Sequence, residues 1–338
     1  METRDRAHTT DLSDGSEPRP IPIIDVSEGQ INHLRVNFHY ITDSAVPDGA
    51  SIGSTPFPVD DTGEENKEED VYSDDGVSVT SEEPDTDQGQ GSWTCDCAPV
   101  NGACSVYASD TCDCVGSFGN FYSGEKEAQV LLLNALPDRL PLVECSPACS
   151  CSSSCLNRVS QKGVTVPISI RSAPAGLGAF YTPSTETNLP SGTFIALYAG
   201  EYLTTEQARA RWSEGHPDNY TLSLRLPAGV FHIDPRKKGN VGRFLNHSCD
   251  PNCVIHVVRW GGGHTWPRAA IFSKKEIKPG EELTFDYGNA SGSGLIGGES
   301  RAAREGDEGN DACVTDRRTR CMCNAPNCRG YMPFDETL

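Results

Sequence analysis

No run of eighteen apolar residues occurs in the 338-residue chain, so no membrane-spanning helix is expected. The opening METRDRAHTTDLSDGSEPRP lacks the apolar stretch of a secretory leader, and a soluble chain in a reducing compartment is the expectation. Basic charge is scarce: 28 Lys+Arg stand against 48 Asp+Glu, a net charge of −20. The deficit is uneven. Residues 1–92 carry 22 acidic and 5 basic groups, a balance of −17, while residues 93–338 carry 26 and 23, a balance of −3. A body so near neutrality lacks the basic face of a duplex-DNA reader, and no direct sequence-specific DNA binding is expected. The acidic stretch reads first as a solvated linker, with attraction of a basic partner as the alternative. No internal repeat is visible beyond the spacing of the cysteines.

Cysteine is what the chain has in abundance. Fifteen cysteines, an odd number, in a reducing compartment point to metal thiolates rather than disulfides. Nine fall in one stretch: Cys95, Cys97, Cys104, Cys112, Cys114, then Cys145, Cys149, Cys151 and Cys155. Nine thiolates do not divide into four-ligand zinc sites. They fit three zinc ions if six thiolates are terminal and three are bridging, which supplies the twelve bonds of three tetrahedra. Two separate four-cysteine sites with one spare thiol, or disulfides, remain as alternatives. The C-terminal CMCNAPNC contributes only Cys321, Cys323 and Cys328, and a structural zinc wants a fourth ligand. Cys249, Cys253 and Cys313 are the nearest unassigned thiols. Cys249, in RFLNHSCDPNC (243–253), would staple the tail onto the Asn246–His247 loop. Cys253 enters an apolar run and reads as a buried thiol.

Between the clusters lie short apolar runs broken by Gly and Pro: VPISI, GTFIALYAGEYL, YTLSLRL, GVFHID, CVIHVVRW, AAIFS and EELTFDYG. Their length and β-branched content predict a mostly β domain of many short strands. PIPIIDV (20–26) and LRVNFHYIT (34–42) read as β-like too. One helix is expected at 205–212, with Thr204 as cap and Gln207 completing a capping box. The expected division is a disordered tail at 1–18, a lead-in at 19–57, an acidic insertion at 58–92, a zinc-cysteine unit at 93–163, a β domain at 164–288, a flexible insertion at 289–316 and a terminal cysteine unit at 317–338.

The motifs CSPACSCSSSCLNRVSQKG, GLG, YAGEYL, RFLNHSCDPNC, ELTFDYG and CMCNAPNCRGYM, in this order, resemble the SET-domain protein lysine methyltransferases of the suppressor-of-variegation class. NRVSQKG and GNVGRFLNHSCDPN are also similar to the SET portion of the mariner-transposase fusion proteins. The resemblance implies a pre-SET zinc cluster, a SET fold of small curved β-sheets with a pseudoknot at 246–249, and a zinc-binding post-SET. It implies a nuclear, chromatin-bound enzyme that transfers methyl groups from S-adenosylmethionine to the histone H3 tail or nucleosome, with lysine 9 the leading target. Its cofactors would be S-adenosylmethionine, three zinc ions in the pre-SET and one in the post-SET.

Residue by residue, the resemblance assigns cofactor contacts to Gly176, Leu177, Gly178, Tyr220, Arg243, Asn246, His247 and Tyr287. Tyr287 is the expected catalytic residue, with Tyr220 between cofactor and lysine channel. Phe285 stands where the family carries Phe or Tyr. Phenylalanine holds no water beside the amine, so di- or trimethylation is expected. Arg236, Lys237 and Lys238 depart from the tyrosines usual in lysine-9 enzymes and look more like the trithorax and lysine-36 branches. Another histone lysine, a non-histone substrate, or an inactive zinc-stapled scaffold are the alternatives. No chromodomain, ankyrin array or methyl-DNA reader is recognisable, so targeting is expected to come from partners.

Overall fold

A computed structural model describes residues 10–47, 94–95, 104, 112–124, 129–136, 141–213, 220–226, 229–261, 266–289 and 319–333. Cys97, Cys313, the 58–92 insertion and nearly all of 289–316 lie outside these residues.

The β-branched runs form strands, and every run named above contributes one. CVIHVVRW is the strand Cys253–Trp260, whose core-facing positions alternate at its start. It pairs antiparallel with Arg268–Ser273 and parallel with Leu142–Glu144, and Arg268–Ser273 pairs in turn with Phe194–Leu197. This four-stranded sheet therefore carries a strand from the cysteine-rich unit at one edge. A second four-stranded sheet has the order Thr10–Asp11, Pro22–Ile23, Ile168–Ala173, Gly176–Tyr181. A third joins Glu201–Leu203, Gly229–Asp234 and Leu222–Leu226. The sheets enclose one main core in which Ile170, Ile195, Leu224, Ile233 and Ile271 have no exposed surface. A satellite cluster of Tyr122, Leu131, Leu142, Phe194 and Phe272 ties the cysteine-rich unit to the β domain. A buried phenylalanine such as Phe272 contributes about 3–5 kcal/mol relative to alanine.

Helices occur where caps specify them. Thr205–Ser213 is a helix, with Gln207 N donating to Thr204 Oγ1 at 3.2 Å and Thr204 N to Gln207 Oε1 at 3.0 Å. The β reading of LRVNFHYIT holds only for His39–Tyr40; residues 34–37 end a helix, Glu28–Asn37. The reason is local. Ser27 and Gln30 form a capping box, each side chain accepting from the other residue's backbone N–H, and this starts a helix that the β-branched residues downstream do not override. After it, His39–Tyr40 pairs parallel with Lys238–Gly239, and Arg268 grips Asp43 through two bonds of 2.7 and 2.9 Å. The lead-in is thus woven into the β domain. No helix among the described residues is long and apolar enough to cross a membrane.

Candidate active site and metal centres

The eight described cysteines of the first cluster are all buried. Their sulfurs form three tetrads, Cys95–Cys104–Cys112–Cys145, Cys95–Cys114–Cys145–Cys149 and Cys104–Cys145–Cys151–Cys155, each with all sulfurs within 4.8 Å of one another. Cys95 and Cys104 each recur in two tetrads and Cys145 in all three, so the three sets share thiols as one joined cluster. Eight thiols cannot all ionise in one buried pocket without a cation. Hydrogen bonds led by that from Cys114 hold Cys149 down at about 2, those led by Cys104 do the same for Cys155, and Cys145 is driven far up by its bond with Cys104. An all-sulfur, water-excluded donor set suits structural zinc.

Outer groups point donors at these sulfurs. Asn157 N reaches Cys155 Sγ at 3.4 Å and Asn157 Nδ2 reaches Cys145 Sγ at 3.5 Å. Arg158 is 6% exposed and donates to Cys151 Sγ from Nε at 3.4 Å and Nη2 at 3.3 Å, and to the Cys149 and Cys151 carbonyls, each at 3.2 Å. These two residues escaped the sequence reading, although both sit in the quoted CLNRVSQKG.

The second metal set is Cys249, Cys321, Cys323 and Cys328, again within 4.8 Å of one another. Arg329 N donates to Cys249 Sγ at 3.4 Å and Asn327 Nδ2 to the Cys249 carbonyl at 3.3 Å, so the tail closes on the 246–249 loop. Cys253 belongs to no tetrad among the described residues, and burial pushes its thiol up to about 12.

The same loop builds the organic half of the site. Asn246–His247 runs parallel to Thr284–Phe285, and Ser248 N donates to the Phe285 carbonyl at 3.1 Å. Asn246 Nδ2 donates to Glu282 Oε1 at 2.6 Å and to the Leu177 carbonyl at 3.3 Å. The two glycines around Leu177 are needed for different reasons. Gly176 has φ +121°, which disfavours any side chain, and faces open space. A Cβ on Gly178 would lie 2.6 Å from Glu282 Oε1. Asn246 and Glu282 therefore brace the Gly176–Gly178 strand and leave its Gly176 end open.

Tyr287 donates from its hydroxyl to the Leu245 carbonyl at 2.9 Å and packs against Phe285 with ring centroids 4.7 Å apart and planes tilted by 40°. Burial raises its pKa, so at neutral pH it is a hydrogen-bond donor and not a phenolate. Its backbone N–H donates to His247 Nδ1 at 3.2 Å. That bond requires an unprotonated Nδ1, so the neutral ring carries its proton on Nε2, 3.4 Å from Cys249 Sγ. Burial lowers the His247 pKa, consistent with the neutral form. A metal ligand, a histidine and the expected catalytic tyrosine are thus one connected unit. Asp286 and Arg329 lock it from outside through a 2.6 Å ion pair.

Phe285 is 3% exposed and sits edge-on to Tyr198 at 5.9 Å. The Tyr198 hydroxyl donates to the Tyr220 carbonyl, and the Tyr220 ring carries the Arg243 guanidinium at 4.4 Å. Gly176–Gly178, Asn246–His247, Phe285 and Tyr287 are joined by direct contacts, and Tyr220 and Arg243 join them through Tyr198. Tyr198 and Glu282 were not singled out in the sequence, yet both lie inside quoted motifs, YAGEYL and ELTFDYG.

Comparison with known proteins agrees with this geometry. The SET domain family matches residues 184–288, and the Pre-SET motif matches residues 13–158. A probable histone-lysine N-methyltransferase, set-23 of Caenorhabditis briggsae, is 36% identical over 270 residues, 76% of this chain and 95% of that protein. The Schizosaccharomyces pombe histone-lysine N-methyltransferase, H3 lysine-9 specific, is 32% identical over 244 residues, 70% of this chain and 47% of that protein, so this chain spans about half of it. The methyltransferase domain of human SETMAR superposes with a TM-score of 0.63 at 26% identity, over 96% of this chain and 98% of that one. With the mostly β fold, the cysteine tetrads and the paired loops at 246–249 and 282–287, these matches show that the chain belongs to the SET-domain histone-lysine N-methyltransferases of the suppressor-of-variegation class.

Proposed function

We propose that the chain is an S-adenosylmethionine-dependent methyltransferase that adds two or three methyl groups to lysine 9 of the histone H3 tail, acting in the nucleus on chromatin. The observation that carries the reading is the neutral Tyr287 hydroxyl held beside the Leu245 carbonyl, with Phe285 packed at a tilt against the ring. S-adenosylmethionine supplies an electrophilic methyl group on a cationic sulfonium. The open Gly176 end of its strand, Leu177, the Asn246–His247 loop and the Tyr220–Arg243 pair are the residues that would hold it.

The incoming lysine must be neutral, against a free pKa of about 10.4. Desolvation among Tyr198, Phe285 and Tyr287, next to a cation, disfavours the ammonium form. No strong base is then required. What is required is alignment of nitrogen, methyl and sulfur, which the Tyr287 hydroxyl and backbone carbonyls such as that of Leu245 supply by orienting the amine. Phe285 offers no hydroxyl to fix a water beside that amine, which leaves room for added methyl groups.

Lysine 9 is favoured by the lysine-9-specific relative and by the nine-cysteine pre-SET. A second reading, lysine 36, rests on Arg236, Lys237 and Lys238, which run into the strand Lys238–Gly239 paired with the lead-in. Methyl transfer to H3 peptides and nucleosomes, read by mass spectrometry, tests both. Two or three methyls on lysine 9 support the first reading, and methyls on lysine 36 replace it with the second. Absence of transfer with S-adenosylmethionine still bound points to a non-histone substrate or a scaffold.

A further inference from the structure

We infer that Phe38, from the lead-in outside the SET core, is a positioning residue for the cofactor side of the active site; this rests on the methyltransferase reading above. Phe38 caps the helix Glu28–Asn37, its N–H donating to the Leu34 carbonyl at 2.9 Å. The backbone just beyond it is fixed to the segment that leads into the catalytic loop. His39 N donates to the Lys237 carbonyl and Ile41 N to the Gly239 carbonyl, both at 2.8 Å. With its backbone held on both sides, the Phe38 ring reaches Arg243, whose guanidinium lies 4.7 Å from the ring centroid.

Arg243 is caged by aromatic rings. Tyr220 and Phe244 approach it at 4.4 and 5.3 Å, completing a three-ring enclosure with Phe38. Its Nη1 donates to the Arg236 carbonyl at 3.1 Å, while its buried Nε makes no hydrogen bond. A half-buried guanidinium whose buried Nε has no hydrogen-bond partner is held by the ring faces, since their quadrupoles supply the attraction that a carboxylate supplies elsewhere. Phe38 also meets Phe244 edge-on at 5.9 Å, so it braces the cage as well as covering it.

The consequence reaches the chemistry. Tyr220 is stacked on Arg243 and receives the Tyr198 hydroxyl on its carbonyl, and Tyr198 abuts Phe285. If Phe38 is removed, Arg243 loses one face of its cage and with it part of the restraint that holds the guanidinium against the Tyr220 ring. Tyr287 keeps its own bond to the Leu245 carbonyl. The effect therefore falls on cofactor affinity and leaves turnover at saturation nearly intact.

The test uses the full chain and the variants Phe38→Leu and Phe38→Tyr. Leucine keeps apolar volume without a π face, and tyrosine keeps the face. S-adenosylmethionine binding is measured by calorimetry, KM and kcat by methyl transfer to an H3 peptide, and melting temperature alongside. The expected result for Phe38→Leu is a Kd and KM for S-adenosylmethionine raised about three- to tenfold, with kcat within twofold. Phe38→Tyr should stay near wild type. Equal cofactor affinity in wild type and Phe38→Leu overturns the inference alone, as does a leucine variant whose only change is a lower melting temperature. Failure of the wild type to bind S-adenosylmethionine overturns the functional reading and the inference with it.

Discussion

Replacing Arg158 by glutamine tests how the zinc cluster is held. Three divalent ions and nine thiolates leave three net negative charges in a buried site, and the Arg158 guanidinium is a buried cation in contact with it. Two of its N–H groups meet Cys151 Sγ at 3.3 and 3.4 Å, and Nη2 also serves two carbonyls at 3.2 Å. Hydrogen bonds to a charged partner contribute about 1.5–3 kcal/mol net. At about 1.4 kcal/mol per tenfold, the variant should hold zinc roughly 10- to 100-fold more weakly. Arg158→Lys keeps the charge but not the planar fork and should fall between. The assay is zinc content by elemental analysis against stepped chelator, with melting temperature measured in parallel. Wild type should begin near four zinc ions per chain, one for each cysteine tetrad. Arg158→Gln retaining zinc to the same chelator concentration as wild type would refute the charge argument. A wild-type content near two would refute the shared cluster itself.

Three other outcomes are expected. Tyr287→Phe removes the hydroxyl that donates to the Leu245 carbonyl and should lower kcat about 100-fold or more, while calorimetry finds S-adenosylmethionine binding unchanged. Phe285→Tyr should shift the products toward monomethyl-lysine in the mass spectrum, since a new hydroxyl would fix a water beside the amine. The pH dependence of stability should carry a histidine signature. Burial holds His256 down at about 4, below its unfolded value of about 6.5, so below that value the unfolded chain binds a proton that the folded chain refuses. Stability from this group is complete above pH 6.5 and is lost as pH falls towards 4, by about 2 kcal/mol at pH 5. Urea unfolding of wild type and His256→Leu at pH 7 and pH 5 measures it. An identical loss in both proteins would show that His256 contributes nothing.

Much of this protein is written locally. The strand Cys253–Trp260 follows from a β-branched run, the helix Thr205–Ser213 from a Thr-x-x-Gln cap, and the possibility of one shared three-zinc cluster from the count of nine cysteines. These features involve groups a few residues apart, or a stoichiometry that no folding alters. The helix Glu28–Asn37 was equally local, for Ser27 and Gln30 spell its capping box, but the β-branched and aromatic residues of 34–42 concealed it. Other features required the folded chain. Sequence offered Cys249, Cys253 and Cys313 as fourth ligands for the C-terminal set and favoured Cys249; the folded chain brings Cys249 to Cys321, 72 residues away. Glu282 explains why Gly178 must be bare, and Phe38 completes a cage around a guanidinium some 200 residues away in sequence. Spacing along a chain encodes which chemistry is possible. Which distant side chains share a pocket is decided by strand pairing and by the return of the C-terminal tail onto the 246–249 loop, and neither is spelled out in any short stretch of sequence.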